Sequence, residues 1–167
     1  QDKREAREFP CLVLHEKKFI RPPCSRSSDV DATSFLKKDG CCLALTNARS
    51  LLNKIVELEY FLDESNVDIF SVTETWLSPE DPDSLFLPMG YSANRWDRPS
   101  RGGGVTFIIK NEIPFKPIAI PAKFQSIEIT CIDVLLHSGP CRLITYYRRG
   151  GFDSMAELRS YGYASLN

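Results

Sequence analysis

CCLALTNARSLLNKIVELEYFLDESNVDIFSVTETWLS, residues 41–78, is the stretch from which the fold is read. Cys41 to Thr46 is a short apolar run ending in polar residues, with the length and bounds of a buried strand. Asn47-Ala48-Arg49-Ser50 follows as a connection, and Ser50 is the expected N-cap of a helix. Leu51, Ile55, Leu58 and Leu62 then recur at i, i+4, i+7 and i+11, which places them on one apolar stripe. The helix is expected to fade near Glu64 to Asn66. Asp68 to Thr73 (DIFSVT) reads as a second strand, and Glu74-Thr75-Trp76-Leu77-Ser78-Pro79 as the loop after it. Strand, helix and strand within about thirty residues make a βαβ unit. Its crossover is right-handed and its two strands are parallel.

Upstream of Cys41 the composition changes. Residues 1–40 mix charges with Pro22-Pro23 and a Ser/Arg stretch, Ser25 to Ser28, and hold one short apolar patch, Cys11 to Leu14. This reads as an irregular leader or linker, so the folded domain is expected over residues 41–167. Downstream, residues 79–104 contain four prolines and four glycines, which predicts long loops. Gly102-Gly103-Gly104 leads into Val105 to Lys110 (VTFIIK), a strand. Over Gln125 to Leu136, Ile127, Ile129 and Cys131 alternate with Glu128 and Thr130, the period of a strand. His137-Ser138-Gly139-Pro140 is a turn, and Arg142 to Tyr147 (RLITYY) returns antiparallel to its neighbour. Met155 to Tyr161 predicts another helix. A parallel pair extended by hairpins gives a mixed sheet and the α/β class.

Leu, Ile, Val and Phe account for 46 of 167 residues, above the roughly 20% below which disorder is the default. One domain of this length buries roughly 70% of the surface its unfolded chain exposes. The net charge of −1 exerts no global pull on a polyanion. No apolar run approaches the ~18 residues of a membrane span, and no basic segment precedes an apolar one at the N-terminus as in a secretory signal. The expected location is therefore intracellular, in nucleus or cytoplasm, without membrane contact. The chain starts at Gln1, as a fragment or processed product does. Six cysteines include no C-x-x-C pair, so the paired spacing of a zinc site is missing and reduced thiols are expected. Two histidines, His15 and His137, in unrelated contexts do not make a His-rich metal site.

Ligands of open α/β sheets bind beyond the carboxyl ends of the strands. Asn47 and Glu74 stand at that edge after the first and second strands, and parallel pairing puts them side by side. A carboxylate and an amide oxygen are hard donors suited to Mg²⁺, although both residue types are also ordinary in turns and on solvated surfaces. Arg95, Arg98 and Arg101 recur every third residue, either as a row along a phosphate backbone or as a solvated loop. Trp76 and Trp96 have two uses, stacking on an unpaired base or packing in core or loop.

Four blocks carry a resemblance. They are Asn47-Ala48-Arg49-Ser50-Leu51-x-Asn53-Lys54, Thr73-Glu74-Thr75-Trp76-Leu77-Ser78, Gly90-Tyr91 and Arg101-Gly102-Gly103-Gly104-Val105. In order and spacing they resemble the endonuclease/exonuclease/phosphatase superfamily, specifically the endonuclease domain of non-LTR (LINE-type) retrotransposons, over roughly Cys41 to Tyr161. The resemblance implies a two-sheet α/β sandwich that hydrolyses DNA phosphodiester bonds with Mg²⁺ or Mn²⁺. It further implies that Glu74 is the metal-binding carboxylate, that Asn47 is the neighbouring amide at the metal and phosphate, and that Tyr147 contacts the scissile phosphate. DNA is the implied partner, with no small-molecule cofactor.

Departures from the pattern accompany the match. Arg149 and Gly150 stand where the family usually continues Tyr-Arg-Pro-Pro. Neither the Gly-Asp-Phe-Asn block nor the Ser-Asp-His block, which orient and activate the nucleophile in that family, occurs in the 167 residues. The expectation is a mixed-sheet α/β sandwich with its C-terminal part missing, and a DNA endonuclease domain that is truncated and inactive by itself. One alternative is a non-catalytic remnant that binds metal or a partner. Another is a phosphatase or phosphodiesterase of the same superfamily.

Overall fold

The apolar runs read from the sequence become strands of two sheets in the computed structural model, which describes residues 11–14, 34–38, 40–124, 127–136 and 139–147. In chain order the strands begin with β1 (Cys11–Leu14), β2 (Ser34–Lys38) and β3 (Cys41–Asn47). A 3₁₀ turn over Leu52–Lys54 leads into helix α1 (Ile55–Ser65). Then come β4 (Ile69–Thr73), β5 (Tyr91–Trp96), β6 (Val105–Lys110), β7 (Phe115–Pro117), β8 (Glu128–Leu136) and β9 (Gly139–Tyr147). One sheet has the order β1-β9-β8-β7, the other β2-β3-β4-β6-β5. Each contains one parallel pair, β1 with β9 and β3 with β4, and is otherwise antiparallel.

The βαβ unit forms with β3 and β4 parallel, Leu43 opposite Ile69 and Asn47 opposite Thr73. Leu51, Leu58 and Leu62 are buried and Ile55 packs against the same cluster, so the apolar stripe faces the sheet. The helix ends at Ser65 because Asn66 turns left-handed, φ 49°, a conformation Asn tolerates at a helix C-terminus. The β8–β9 hairpin also forms, with Leu136 opposite Gly139 and Glu128 opposite Tyr147.

Three expectations need correction. The stretch read as an irregular leader supplies two strands: β1 adds to the edge of β9 and β2 to the edge of β3. Four or five residues of strand are too short to announce themselves among charges, and the partner of β1 lies about 130 residues away in sequence, although β2 pairs with the very next strand, β3. Ser50 is not a helix cap. Its backbone is left-handed, φ 89°, its amide donates to Glu74 O at 2.9 Å, and the helix starts two residues on as a 3₁₀ turn. The Pro- and Gly-rich segment 79–104 is interrupted by the six-residue edge strand β5, whose polar sequence YSANRW hid it. The Met155–Tyr161 helix, His137-Ser138 of the expected turn and the Arg148–Gly150 loop lie outside the described residues.

The two sheets pack face to face, and the space between them changes character from one end to the other. Cys41, Leu43, Ile69, Phe107, Ile109, Ile132, Val134 and Leu143 fill one end as an apolar cluster. Toward the other end the inward positions become Ser71, Asn94, Thr130, Thr145 and Glu128. Ser71 Oγ donates to Thr145 Oγ1 at 2.7 Å, and Asn94 Nδ2 donates to Thr130 Oγ1 at 2.6 Å, both across the sheets. Helix α1 covers the outer face of the larger sheet over Ala44, Phe70, Val72 and Ile108. The outer face of the smaller sheet buries Ile129, Cys131, Ile144 and Tyr146 with Phe124. Among the described residues no helix is long and apolar enough to cross a membrane.

Candidate functional site

Asn47 is the last residue of β3 and Glu74 the first after β4. Parallel pairing brings both to the same end of the sheet, and Asn47 Nδ2 donates to Glu74 Oε1 at 3.1 Å. Asn47 Oδ1 accepts from the Arg49 amide at 3.2 Å, which holds the amide with its nitrogen toward Glu74. Glu74 is half-buried, and its Oε2 accepts no hydrogen bond among the described residues.

The loops that carry this pair are strained. Arg49 (φ 45°), Ser50 (φ 89°), Glu74 (φ 51°) and Trp76 (φ 56°) all have left-handed backbone. Such a conformation costs an L-residue about 1–2 kcal/mol, and it persists only where surrounding contacts enforce it. Here the enforcing contacts are backbone hydrogen bonds that lace three loops together. Ala48 N donates to Thr73 O at 2.9 Å, Ser50 N to Glu74 O at 2.9 Å and Leu51 N to Thr75 O at 2.8 Å. Thr75 N donates to Gly104 O at 3.3 Å and Trp76 N to Gly103 O at 2.8 Å.

The triple glycine is therefore the floor on which the Glu74 loop rests, and a buried carboxylate fixes it. Glu128, the first residue of β8, is 5% exposed. Its Oε2 accepts from Gly104 N at 2.6 Å, and its Oε1 is ion-paired with Arg98. A Cβ on Gly103 would stand 2.6 Å from Glu128 Oε1, and one on Gly104 would collide with Thr75 Oγ1. Glycine at these two positions lets the loop lie between a carboxylate and a buried hydroxyl. Sequence reading treated Glu128 only as one step in a strand alternation. The signal available was an acidic residue in step with Ile132, Val134 and Leu136 along the strand, a position that demands a partner once that face is buried.

Tyr147 ends β9 directly opposite Glu128 and is half-buried. It lies two residues beyond Thr145, on the face of β9 that meets Ser71 of β4. Tyr147 thus stands at the polar end of the sandwich, the same end as Asn47 and Glu74.

The arginine row does not survive folding as a row. Arg95 is taken up by structure: Nη2 donates to Ser78 O at 3.1 Å and Asp81 O at 2.5 Å, and Nε lies 2.8 Å from Asp97. Its Nη1 is 3.1 Å from Asp83, and the guanidinium lies 5.7 Å from the Phe86 ring centroid. This clamp ties the 78–83 loop to β5. Burial pushes the Asp97 carboxyl above its ordinary value, against the opposing pull of Arg95. Arg98 is neutralised by Glu128. Arg101 is exposed and makes no ion pair among the described residues.

The site's donor set suits a small hard cation. Glu74 offers one carboxylate oxygen that accepts no hydrogen bond among the described residues, on a half-exposed edge. Mg²⁺ is commonly held by one or two carboxylates with the rest of its shell water and phosphate. No group of three or more His, Cys, Asp or Glu side chains among the described residues forms an all-protein cage. No protein-family model matches the chain, and no curated protein matches it.

Proposed function

We propose that the chain carries the metal- and phosphate-binding corner of a phosphodiesterase of the endonuclease/exonuclease/phosphatase type, acting on DNA as the endonuclease domains of LINE-type retrotransposons do. One observation supports this reading above the others. Asn47 and Glu74 meet at the carboxyl ends of adjacent parallel strands, on loops where four non-glycine residues are held left-handed. Strain concentrated at one strand edge, and locked by five backbone hydrogen bonds, is what a site requiring fixed geometry calls for.

In this reading Glu74 holds the cation through its unpartnered oxygen. Asn47 acts on Glu74, orienting the carboxylate through Nδ2. The Tyr147 hydroxyl donates to a phosphate oxygen at the same end of the sandwich. Glu128 and the glycine loop hold the Glu74 backbone in place. A bound Mg²⁺ supplies charge stabilisation to the phosphate, worth several kcal/mol in such sites. The chain contains neither of the blocks that supply base and nucleophile-orienting groups in that family. A second reading takes these residues as a metal- and phosphate-binding module.

Both readings require the cation site, and calorimetry tests it. Mg²⁺ and Mn²⁺ are titrated into the intact chain and into Glu74→Gln. Binding by the intact chain that is lost in Glu74→Gln is the expected result. Equal affinity in the two proteins removes Glu74 from the site and the reading with it.

A further inference from the structure

Trp76 is the residue of the strained loops that the metal corner does not use. Its backbone is left-handed, φ 56°, an outlier for a bulky residue, and its amide is tied to Gly103 O at 2.8 Å. Its neighbours Thr75 and Leu77 are 0% and 3% exposed, whereas Trp76 is 38% exposed. Two buried residues thus mount an indole that faces solvent, two positions from Glu74. An apolar side chain of this size is ordinarily driven inward, and here the backbone bears strain to hold it out. The glycine loop that grips Trp76 also carries Arg101, exposed and without an ion pair among the described residues, two positions before Gly103. Aromatic surface and a cation without an ion pair, mounted on two loops that the Trp76 N to Gly103 O hydrogen bond joins, are the two elements by which proteins hold single-stranded nucleic acid.

We propose that Trp76, with Arg101 beside it, forms a subsite that stacks one unpaired base of a DNA strand while the cation contacts its phosphate, next to the Glu74 corner. This inference rests on the nucleic-acid reading above and adds the form of the substrate: a strand with an unstacked base rather than closed duplex. Trp96 does not share the role, since it lies within β5, opposite Val105 and half-buried.

The test uses the full chain in EDTA, so that binding is separated from the metal site. The probes are a short single-stranded oligothymidylate, the same length of abasic strand, and a blunt duplex. Indole fluorescence and fluorescence anisotropy report binding. Trp76→Asn removes the ring while keeping a residue that tolerates left-handed backbone, and Trp76→Phe keeps a ring. Oligothymidylate is expected to quench the intact chain and to bind more tightly than the abasic strand or the duplex. Trp76→Asn should weaken that binding on the order of 10- to 100-fold, the loss of one stacked base. Trp76→Phe should recover most of it, and Arg101→Gln should flatten its salt dependence. Equal binding by the intact chain and Trp76→Asn, or indifference between base-bearing and abasic strands, overturns the stacking subsite. It leaves the Glu74 cation site to stand or fall on its own titration. Failure of the intact chain to bind any strand also overturns the proposal.

Discussion

Burial sets the chemistry of Cys41. It is 7% exposed at the apolar end of the sandwich, and desolvation, aided by the nearby charge of Asp68, pushes its thiol from 9.0 up to about 11. Thiolate is the reacting form, so at pH 8 Cys41 should alkylate with iodoacetamide roughly 100-fold more slowly than an unperturbed thiol, before steric protection is added. Peptide mapping of the labelled chain checks this. The linkage has a definite sign. Between pH 9 and about 11 the folded state keeps a proton that the unfolded state has lost, so stability falls as pH rises through that window. Urea titrations across it should show a decline that Cys41→Ala lessens. Gly103 gives a second test at a single residue. Gly103→Ala puts a Cβ against the Glu128 carboxylate on a backbone at φ 71°, and should cost about 2 kcal/mol or more. Glu128→Ala leaves Arg98 and the Gly104 amide without their partner and should cost about 3 kcal/mol or more. Both losses are read from urea midpoints.

Strands β4 and β9 meet through a polar contact at the end of the interface away from the apolar cluster. Ser71 and Thr145 are both 0% exposed, and their hydroxyls pair at 2.7 Å. Ser71→Ala is expected to cost about 1–3 kcal/mol, because the Thr145 hydroxyl stays buried without that partner. Replacing both, as Ser71→Ala with Thr145→Val, removes the whole polar pair and should cost clearly less than the two single losses combined. Equal additivity in a double-mutant cycle would mean the two hydroxyls do not depend on each other. The same strands show why β5 and β2 escaped detection. β3, β4 and β6 are covered on both faces and read as continuous apolar runs, whereas β5 and β2 are edge strands of the sheet. An edge strand needs less apolar character, so its sequence resembles a loop.

On the reading proposed above, these 167 residues by themselves are expected not to cleave DNA measurably. A positioned base is typically worth ~10²–10⁴-fold, and each donor aimed at developing charge a further ~10²–10³-fold. The blocks that carry these groups in the resembling family do not occur in these 167 residues. Supercoiled plasmid with Mg²⁺ should therefore stay supercoiled. Relaxation by the intact chain that disappears in both Glu74→Ala and Asn47→Ala would show a working nuclease, with the missing groups supplied some other way.

The local periodicities were enough to read β3, α1, β4 and the β8–β9 hairpin. An apolar stripe or an alternation is a property of neighbouring residues, and a short crossover leaves only the parallel arrangement. Adjacency of Asn47 and Glu74 follows from that arrangement alone. The rest depended on how the two sheets face each other. Glu128 reaches Gly104 across 24 residues of chain, and Ser71 reaches Thr145 across 74. No local pattern encodes such contacts, because they arise only when one sheet is laid on the other. The left-handed backbone of Glu74 and Trp76 belongs to the same class. Neither residue favours it, and hydrogen bonds from Ser50 N to Glu74 O, from Thr75 N to Gly104 O and from Trp76 N to Gly103 O hold it. Three arginines at equal spacing met different fates for the same reason: the tertiary packing gave carboxylate partners to Arg95 and Arg98 and left Arg101 exposed.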